Sequence, residues 1–174
     1  NGKEYWEYVL LYVDDALAVS ERPEHIISNE IGKYFLPFKP SLVGPPDLYL
    51  GGKLRNVTME NGVKAWAFGS SQYVLAAVDN TEKYLAESGR KLPTKAYTPI
   101  STSYQPEVDT TPELNPKDAA YYQSLIGILR WMVELGRVDI CLEVSLLSSH
   151  LALPREGHLN QLFHIFAYLK KNHN

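Results

Sequence analysis

The sequence predicts an α+β fold, with two antiparallel β-hairpins and one helix followed by a mainly helical bundle. β-forming runs separated by turn residues fill the first part of the chain, whereas apolar residues recur at helical spacing after it. A chain of 174 residues can form one domain or two small ones. The change of pattern predicts two regions, residues 1–68 and residues 69–174.

The first hairpin is predicted around two adjacent aspartates, Asp14 and Asp15. The apolar runs on both sides are short and rich in β-formers, which favours strands, expected to lie in the core. Asp-Asp suits a tight two-residue turn less well than Asn-Gly or Asp-Gly does. A divalent cation between the two carboxylates would remove their repulsion, and oxygen ligands suit Mg²⁺ or Mn²⁺. A solvated acidic turn is the alternative interpretation, and spacing alone leaves both open.

A helix and a second hairpin are predicted next. Pro23 is typical of the first turn of a helix, and an apolar face continues to about residue 36. That face consists of Ile26, Ile27, Ile31, Tyr34 and Phe35. Four prolines exclude regular structure over residues 37–46. Asn61-Gly62 then predicts a hairpin between strands Tyr49–Met59 and Val63–Phe68, and Gly51-Gly52 predicts a bulge or a close backbone approach.

Four helices are predicted in the second region. The first begins at Ser70 or Ser71 as the N-terminal cap and ends at Gly89. Residues 89–115 are rich in Pro, Ser and Thr, which is typical of a linker or a loop that follows the surface. Three helices follow, starting at the cap Asn115, after Gly136 and after Pro154, and their short connections predict antiparallel packing.

Composition limits the classes of function. The formal net charge is −3, so the chain lacks the basic bias of a free-standing nucleic-acid-binding protein. The single cysteine, Cys141, excludes an internal disulfide and is expected to be buried in a protein of a reducing compartment. No apolar run has the length of a membrane span, and no signal-peptide pattern is present. These features predict an intracellular protein that is not secreted and does not enter a membrane.

Several stretches resemble, in the same order, motifs of copia-type retrotransposon reverse transcriptases. Tyr12-Val13-Asp14-Asp15 is similar to the metal-binding motif of that family, and Leu48–Leu54 is similar to its Tyr-Phe-Leu-Gly-Ile-Glu-Val strand. The other similar stretches are Ser71–Val74, Thr98–Ile100, Tyr121–Trp131, Arg137–Ile140 and His158–Lys171. The resemblance covers nearly the whole chain, with departures at Gly52, Lys53 and Val138.

The resemblance implies a role for each region. Residues 1–68 would belong to the palm of an RNA-directed DNA polymerase, and residues 69–174 to its thumb and connection, with a proline-rich linker at 89–115. Asp14 and Asp15 would hold Mg²⁺ or Mn²⁺ for nucleotidyl transfer. The implied contacts are Tyr12 and Val13 with the nucleotide and primer end, Tyr49, Leu50, Gly51 and Gly52 with the primer strand, and Gln72 and Lys83 with a nucleic-acid backbone.

The resemblance also implies partners outside these residues. In a full-length protein they would be an RNA or DNA template-primer, a dNTP, the fingers and remaining palm upstream, and a ribonuclease H region downstream. A third aspartate would come from the upstream part, so we expect the isolated chain to be inactive. The expected location is a cytoplasmic virus-like particle or the nucleus. The alternative function is a non-catalytic nucleic-acid- or protein-binding helical module from a degenerate element.

Overall fold

A computed structural model describes residues 4–34 and 43–173. These residues form two small antiparallel sheets and five α-helices, which confirms the predicted α+β class. The chain divides into two compact units, Asn1–Ala67 and Phe68–Asn174. In the part of the chain that the structure describes, no helix is both long enough and apolar enough to cross a membrane.

The first unit begins with the predicted hairpin of β1 (Tyr8–Tyr12) and β2 (Asp15–Val19). The two strands are antiparallel, with Leu10 opposite Leu17. The expectation that they lie in the core is wrong, because every residue of β1 is exposed. The helix that follows contacts β2, and a two-stranded hairpin has no further strand to cover it.

The predicted helix after the hairpin is short and changes its winding. Helix α1 (Pro23–His25) has proline in its first turn, as predicted, and continues as a π-helix over Ile26–Ile31. The π-helical bond from Gly32 N–H to the Ile27 carbonyl is 3.2 Å long. Residue 35 and most of the proline-rich stretch predicted as irregular lie outside the described residues.

The second sheet has three strands in the order β3 (Leu48–Tyr49), β4 (Gly52–Thr58) and β5 (Lys64–Gly69). The Asn61-Gly62 hairpin is confirmed, with the Met59 N–H bonded to the Val63 carbonyl at 2.9 Å. The prediction of one strand from Tyr49 to Met59 is wrong. Leu50 and Gly51 both have positive φ, so a tight turn separates β3 from β4 where a bulge was expected.

The second unit is a helical bundle. Its helices are α2 (Ser71–Glu87), α3 (Pro116–Glu134), α4 (Cys141–Ser148) and α5 (Glu156–Lys171). The predicted cap of α3 is confirmed, because the Asn115 side chain accepts a bond from the Asp118 N–H at 3.0 Å. Ser70 takes the cap position of α2, but its side chain forms no capping bond.

The core of the second unit lies among these four helices. Most of α5 is buried, and Tyr122 of α3 is fully buried, with its hydroxyl donating to the Leu147 carbonyl of α4 at 2.6 Å. Cys141 is exposed, so the prediction of a buried cysteine is wrong. Helix α4 turns Val144 and Leu147 into the core, where Ile140 of the preceding turn is also buried.

Residues 90–106 pack along α5, and we call this segment the strap. Side chains of α5 bond to successive backbone carbonyls of the strap, which runs antiparallel to the helix. The bonds are Lys171 to Thr94 at 2.6 Å, His164 to Thr98 at 3.0 Å, Gln161 to Pro99 at 3.3 Å and His158 to Pro106 at 3.2 Å. Leu92 and Ala96 are buried. Of the two alternatives left open for this stretch, the structure supports the loop that follows the surface.

Candidate functional site

The tip of the first hairpin is a two-residue turn formed by Val13 and Asp14. Tyr12 and Asp15 pair across the strands directly beneath it. Val13 has a φ of 54° and is 94% exposed. Positive φ is unfavourable for a β-branched residue and costs on the order of 1–2 kcal/mol. Such backbone strain concentrates at functional sites, which makes this turn the first candidate site of the chain.

Asp14 and Asp15 are both exposed, Asp14 in the turn and Asp15 at the first position of β2. Neither takes part in an ion pair with another described residue. No group of three or more His, Cys, Asp or Glu side chains within residues 4–34 and 43–173 is arranged to hold a metal. Two carboxylates fit Mg²⁺, which proteins commonly bind through one or two carboxylates together with water and substrate phosphates.

The turn between β3 and β4 contains the four residues expected to position a primer. Tyr49 and Gly52 pair across it, and Leu50 and Gly51 form the turn itself, with φ of 51° and 88°. The pKa of Tyr49 is raised by burial and, to a smaller extent, by the negative charge of Asp15. The start of the second sheet is therefore within electrostatic range of the acidic turn.

Gln72 and Lys83, the predicted nucleic-acid contacts, lie on α2 in the second unit. Both are exposed and, being eleven residues apart, face the same side of the helix. The Lys83 ammonium is 2.6 Å from the carboxylate of Asp79, one turn earlier. This ion pair reduces the positive charge that α2 offers to a phosphate.

A polar network that the sequence did not predict joins residues 104–111, at and just beyond the end of the strap, to α5. Asp109 accepts bonds from the Tyr104 hydroxyl at 2.5 Å and from the Thr111 hydroxyl and N–H at 2.6 and 2.8 Å. Burial alone would raise the pKa of Asp109, but the bonds from Thr111 and Tyr104 outweigh it, so the pKa lies below its usual value. The one sign of this network in the sequence is His158, a polar residue at a position of α5 that faces the core.

His158 has two defined bonds and a histidine neighbour. Its Nδ1 accepts from the Arg155 N–H at 3.0 Å, and its Nε2 lies 3.2 Å from the Pro106 carbonyl. A backbone N–H can only donate and a carbonyl can only accept, so the ring is neutral with its proton on Nε2. The His150 ring stacks on it at 4.1 Å between centroids.

A second charged cluster lies between α3 and α4. The Arg137 guanidinium forms two bonds with the Asp139 carboxylate, at 2.9 and 2.7 Å, and the Arg137 side chain is only 9% exposed. These bonds lower the pKa of Asp139 in spite of its partial burial. The Tyr168 hydroxyl of α5 donates to the same carboxylate at 3.1 Å. This cluster connects the α3–α4 turn to α5.

Comparison with known proteins identifies one relative. A protein assigned to transposon Ty5-1 of Saccharomyces cerevisiae is 30% identical over 164 residues, which are 93% of this chain and 48% of the relative. The chain therefore spans about half the length of that relative. The chain is thus similar in sequence to a transposon protein, and its own fold is of the α+β class. No family model matches the chain, and no solved structure matches it.

Proposed function

We propose that this chain is part of an RNA-directed DNA polymerase of a copia-type retrotransposon, in which Asp14 and Asp15 bind a divalent metal. The observation that carries the proposal is the left-handed backbone of the exposed Val13, at the tip of a hairpin whose next two residues are acidic. A two-residue hairpin turn favours positive φ, but glycine or asparagine would adopt it without strain. A strained valine followed by two acids is what a turn kept for presenting carboxylates would retain. The similarity to a transposon protein is consistent with this function.

The residues of the turn have separate roles in this proposal. Asp14 presents its carboxylate from the turn. Asp15 is the first residue of β2, and its pairing with Tyr12 of β1 holds in place the backbone from which its carboxylate projects. Bound Mg²⁺ would stabilise the charge that develops on the attacking and leaving oxygens of phosphoryl transfer. Tyr49, which lies within range of Asp15, belongs to the turn that would align the primer strand.

The isolated chain is expected not to polymerise. At the acidic turn, the described residues supply only the two carboxylates of Asp14 and Asp15 for a metal. Strand β1 beside this turn is exposed along its whole length. An uncovered two-stranded hairpin is marginally stable, so it holds its carboxylates less rigidly than phosphoryl transfer requires. In the full-length protein we propose that the upstream palm covers this hairpin and supplies a further carboxylate.

The distribution of the core supports a second candidate function, the non-catalytic binding module. Apart from Ile26, all buried apolar residues of the described chain belong to the second unit. The helical unit is therefore able to fold and bind partners whether or not the hairpin retains a metal. The two functions differ in whether the acidic turn binds a divalent ion.

Titration with Mn²⁺, followed by paramagnetic broadening of backbone amide signals, tests the proposal. Selective broadening around Asp14 and Asp15 is expected, and the variant D14N/D15N should lose it. The control E21Q/E24Q removes two exposed acids of the same unit and should retain it. Broadening that is equal at all exposed acids, or unchanged in D14N/D15N, would contradict metal binding at the turn and favour the module.

A further inference from the structure

Two segments of the second unit contain basic residues and no acidic ones. No Asp or Glu occurs between Glu87 and Glu107, and none occurs after Glu156. The basic residues of these segments are Arg90, Lys91, Lys95, Lys170 and Lys171. In a chain with a net charge of −3, such a concentration of positive charge is local and unexpected.

The fold brings these two segments together. The first contains the strap and the second contains most of α5, and four side chains of α5 bond to backbone carbonyls of the strap. Arg90 anchors the start of the strap, since its guanidinium bonds to Asn160 at 2.8 Å and lies 5.3 Å from the centre of the Phe163 ring. The result is one continuous surface of the second unit that carries no carboxylate of its own.

The outer side of this surface presents cations and an aromatic ring to solvent. Lys91 and Lys95 are exposed and form no ion pair with any residue that the structure describes. Tyr97 is 80% exposed, and the Lys171 ammonium lies 5.0 Å from the centre of its ring. Lys170 is bonded to Glu82 of α2, at the border of the surface.

We propose that the outer side of the strap binds the phosphate backbone of a nucleic acid through Lys91 and Lys95, with Tyr97 stacking on a base. Unpaired lysines beside an exposed aromatic ring combine the two elements by which proteins bind single strands, charge neutralisation and stacking. An acidic protein segment would pair with the lysines, but its charge alone would leave the exposed Tyr97 ring without a role.

This surface is separate from the contacts that the family resemblance implies. Lys83 of α2 is already paired with Asp79, whereas Lys91 and Lys95 have no acidic partner among the described residues. The surface also does not involve Asp14 or Asp15, so it serves the polymerase and the non-catalytic module equally. Its test therefore has a different readout from that of the metal site.

Fluorescence anisotropy with the whole chain tests the proposal. The probes are a fluorescein-labelled single-stranded DNA and an RNA–DNA hybrid of the same length, measured over a series of salt concentrations. The variant K91Q/K95Q should bind about tenfold or more weakly at low salt, and the slope of log Kd against log salt should fall by about 2. Y97A should weaken single-strand binding by about fivefold or more and affect the hybrid less.

Three controls make the outcomes decisive. K33Q/K117Q removes the same charge from two exposed lysines elsewhere and should bind like the unmodified chain. The proposal is overturned if K91Q/K95Q and K33Q/K117Q weaken binding equally, or if polyglutamate displaces the probe as effectively as unlabelled nucleic acid. Thermal unfolding of each variant confirms that it is folded.

Discussion

The carboxylate of Asp109 occupies the space that a side chain at position 157 would need. A Cβ built on Gly157 would collide with the Asp109 carboxylate, which is held in place by Tyr104 and Thr111. Gly157 lies in the first turn of α5, so the missing side chain allows the segment that follows the strap to close onto the helix. The Gly157 N–H bonds to the Thr111 hydroxyl at 2.9 Å in the same contact.

Substituting Gly157→Ala should destabilise the second unit by about 1–3 kcal/mol. The added methyl group must displace the Asp109 carboxylate and break its bonds with Tyr104 and Thr111. Chemical unfolding measures the change. Gly127→Ala is the matched control: Gly127 is an exposed residue of α3 with open space around it, and alanine there should stabilise by about 0.5–1 kcal/mol. Equal effects of the two substitutions would contradict the close contact.

The stability of the second unit should decrease as the pH falls below about 6.5. Burial lowers the pKa of His150 from its usual value of 6.5, while the negative charges of Glu107 and Asp109 act in the opposite direction. The unfolded chain therefore takes up a proton at a pH where the folded chain does not, and acid favours unfolding.

Thermal unfolding between pH 7.5 and pH 5 measures this dependence. His150→Gln should flatten the pH profile, since it removes the group whose pKa differs between the folded and unfolded states. His25→Gln changes an exposed histidine of the first unit and should leave the profile unchanged. A His150→Gln profile as steep as that of the unmodified chain would show that His150 is not responsible.

Asp139→Asn should destabilise the chain by about 1–3 kcal/mol, because the largely buried Arg137 would lose its counter-charge. Asp79→Asn is the control, since it breaks an exposed ion pair with Lys83 at a cost below about 0.5 kcal/mol. Similar unfolding free energies for the two variants would show that the buried Arg137–Asp139 pair stabilises the chain no more than an exposed pair does.

Val13→Asn should stabilise the first hairpin by about 1 kcal/mol, since asparagine tolerates positive φ far better than valine. Hydrogen exchange of the amides of β1 and β2 measures hairpin opening and should become slower. The same substitution at the exposed strand residue Val19 should accelerate exchange, because asparagine is unfavourable in a strand. Faster exchange in Val13→Asn would indicate that the turn is not strained.

Local signals in the sequence predicted much of the fold. Asn61-Gly62 located a hairpin, Asn115-Pro116 located the start of α3, and Gly89 located the end of α2. These signals succeed because each depends on the backbone of a few neighbouring residues. The turn at Leu50 was missed because leucine rarely adopts positive φ, and only the paired strands impose it there.

Features that depend on distant residues could not be predicted in this way. The path of the strap is determined by bonds to α5 across more than fifty positions, and the exposure of β1 depends on what packs against it. For the candidate site, the sequence supplied the acidic pair and its hairpin. The strain at Val13 became visible only in the backbone angles.

Of the five hydrogen bonds that the structure describes between α5 and the strap, four end on main-chain oxygens of the strap, and the fifth joins the side chains of Arg90 and Asn160. Every amino acid carries a main-chain oxygen, so the course of this segment is nearly independent of which side chains point away from the helix. Outward residues such as Lys91, Lys95 and Tyr97 can therefore vary between related elements without altering the scaffold. Selection acting on this stretch would change what the bundle recognises while its architecture stays the same.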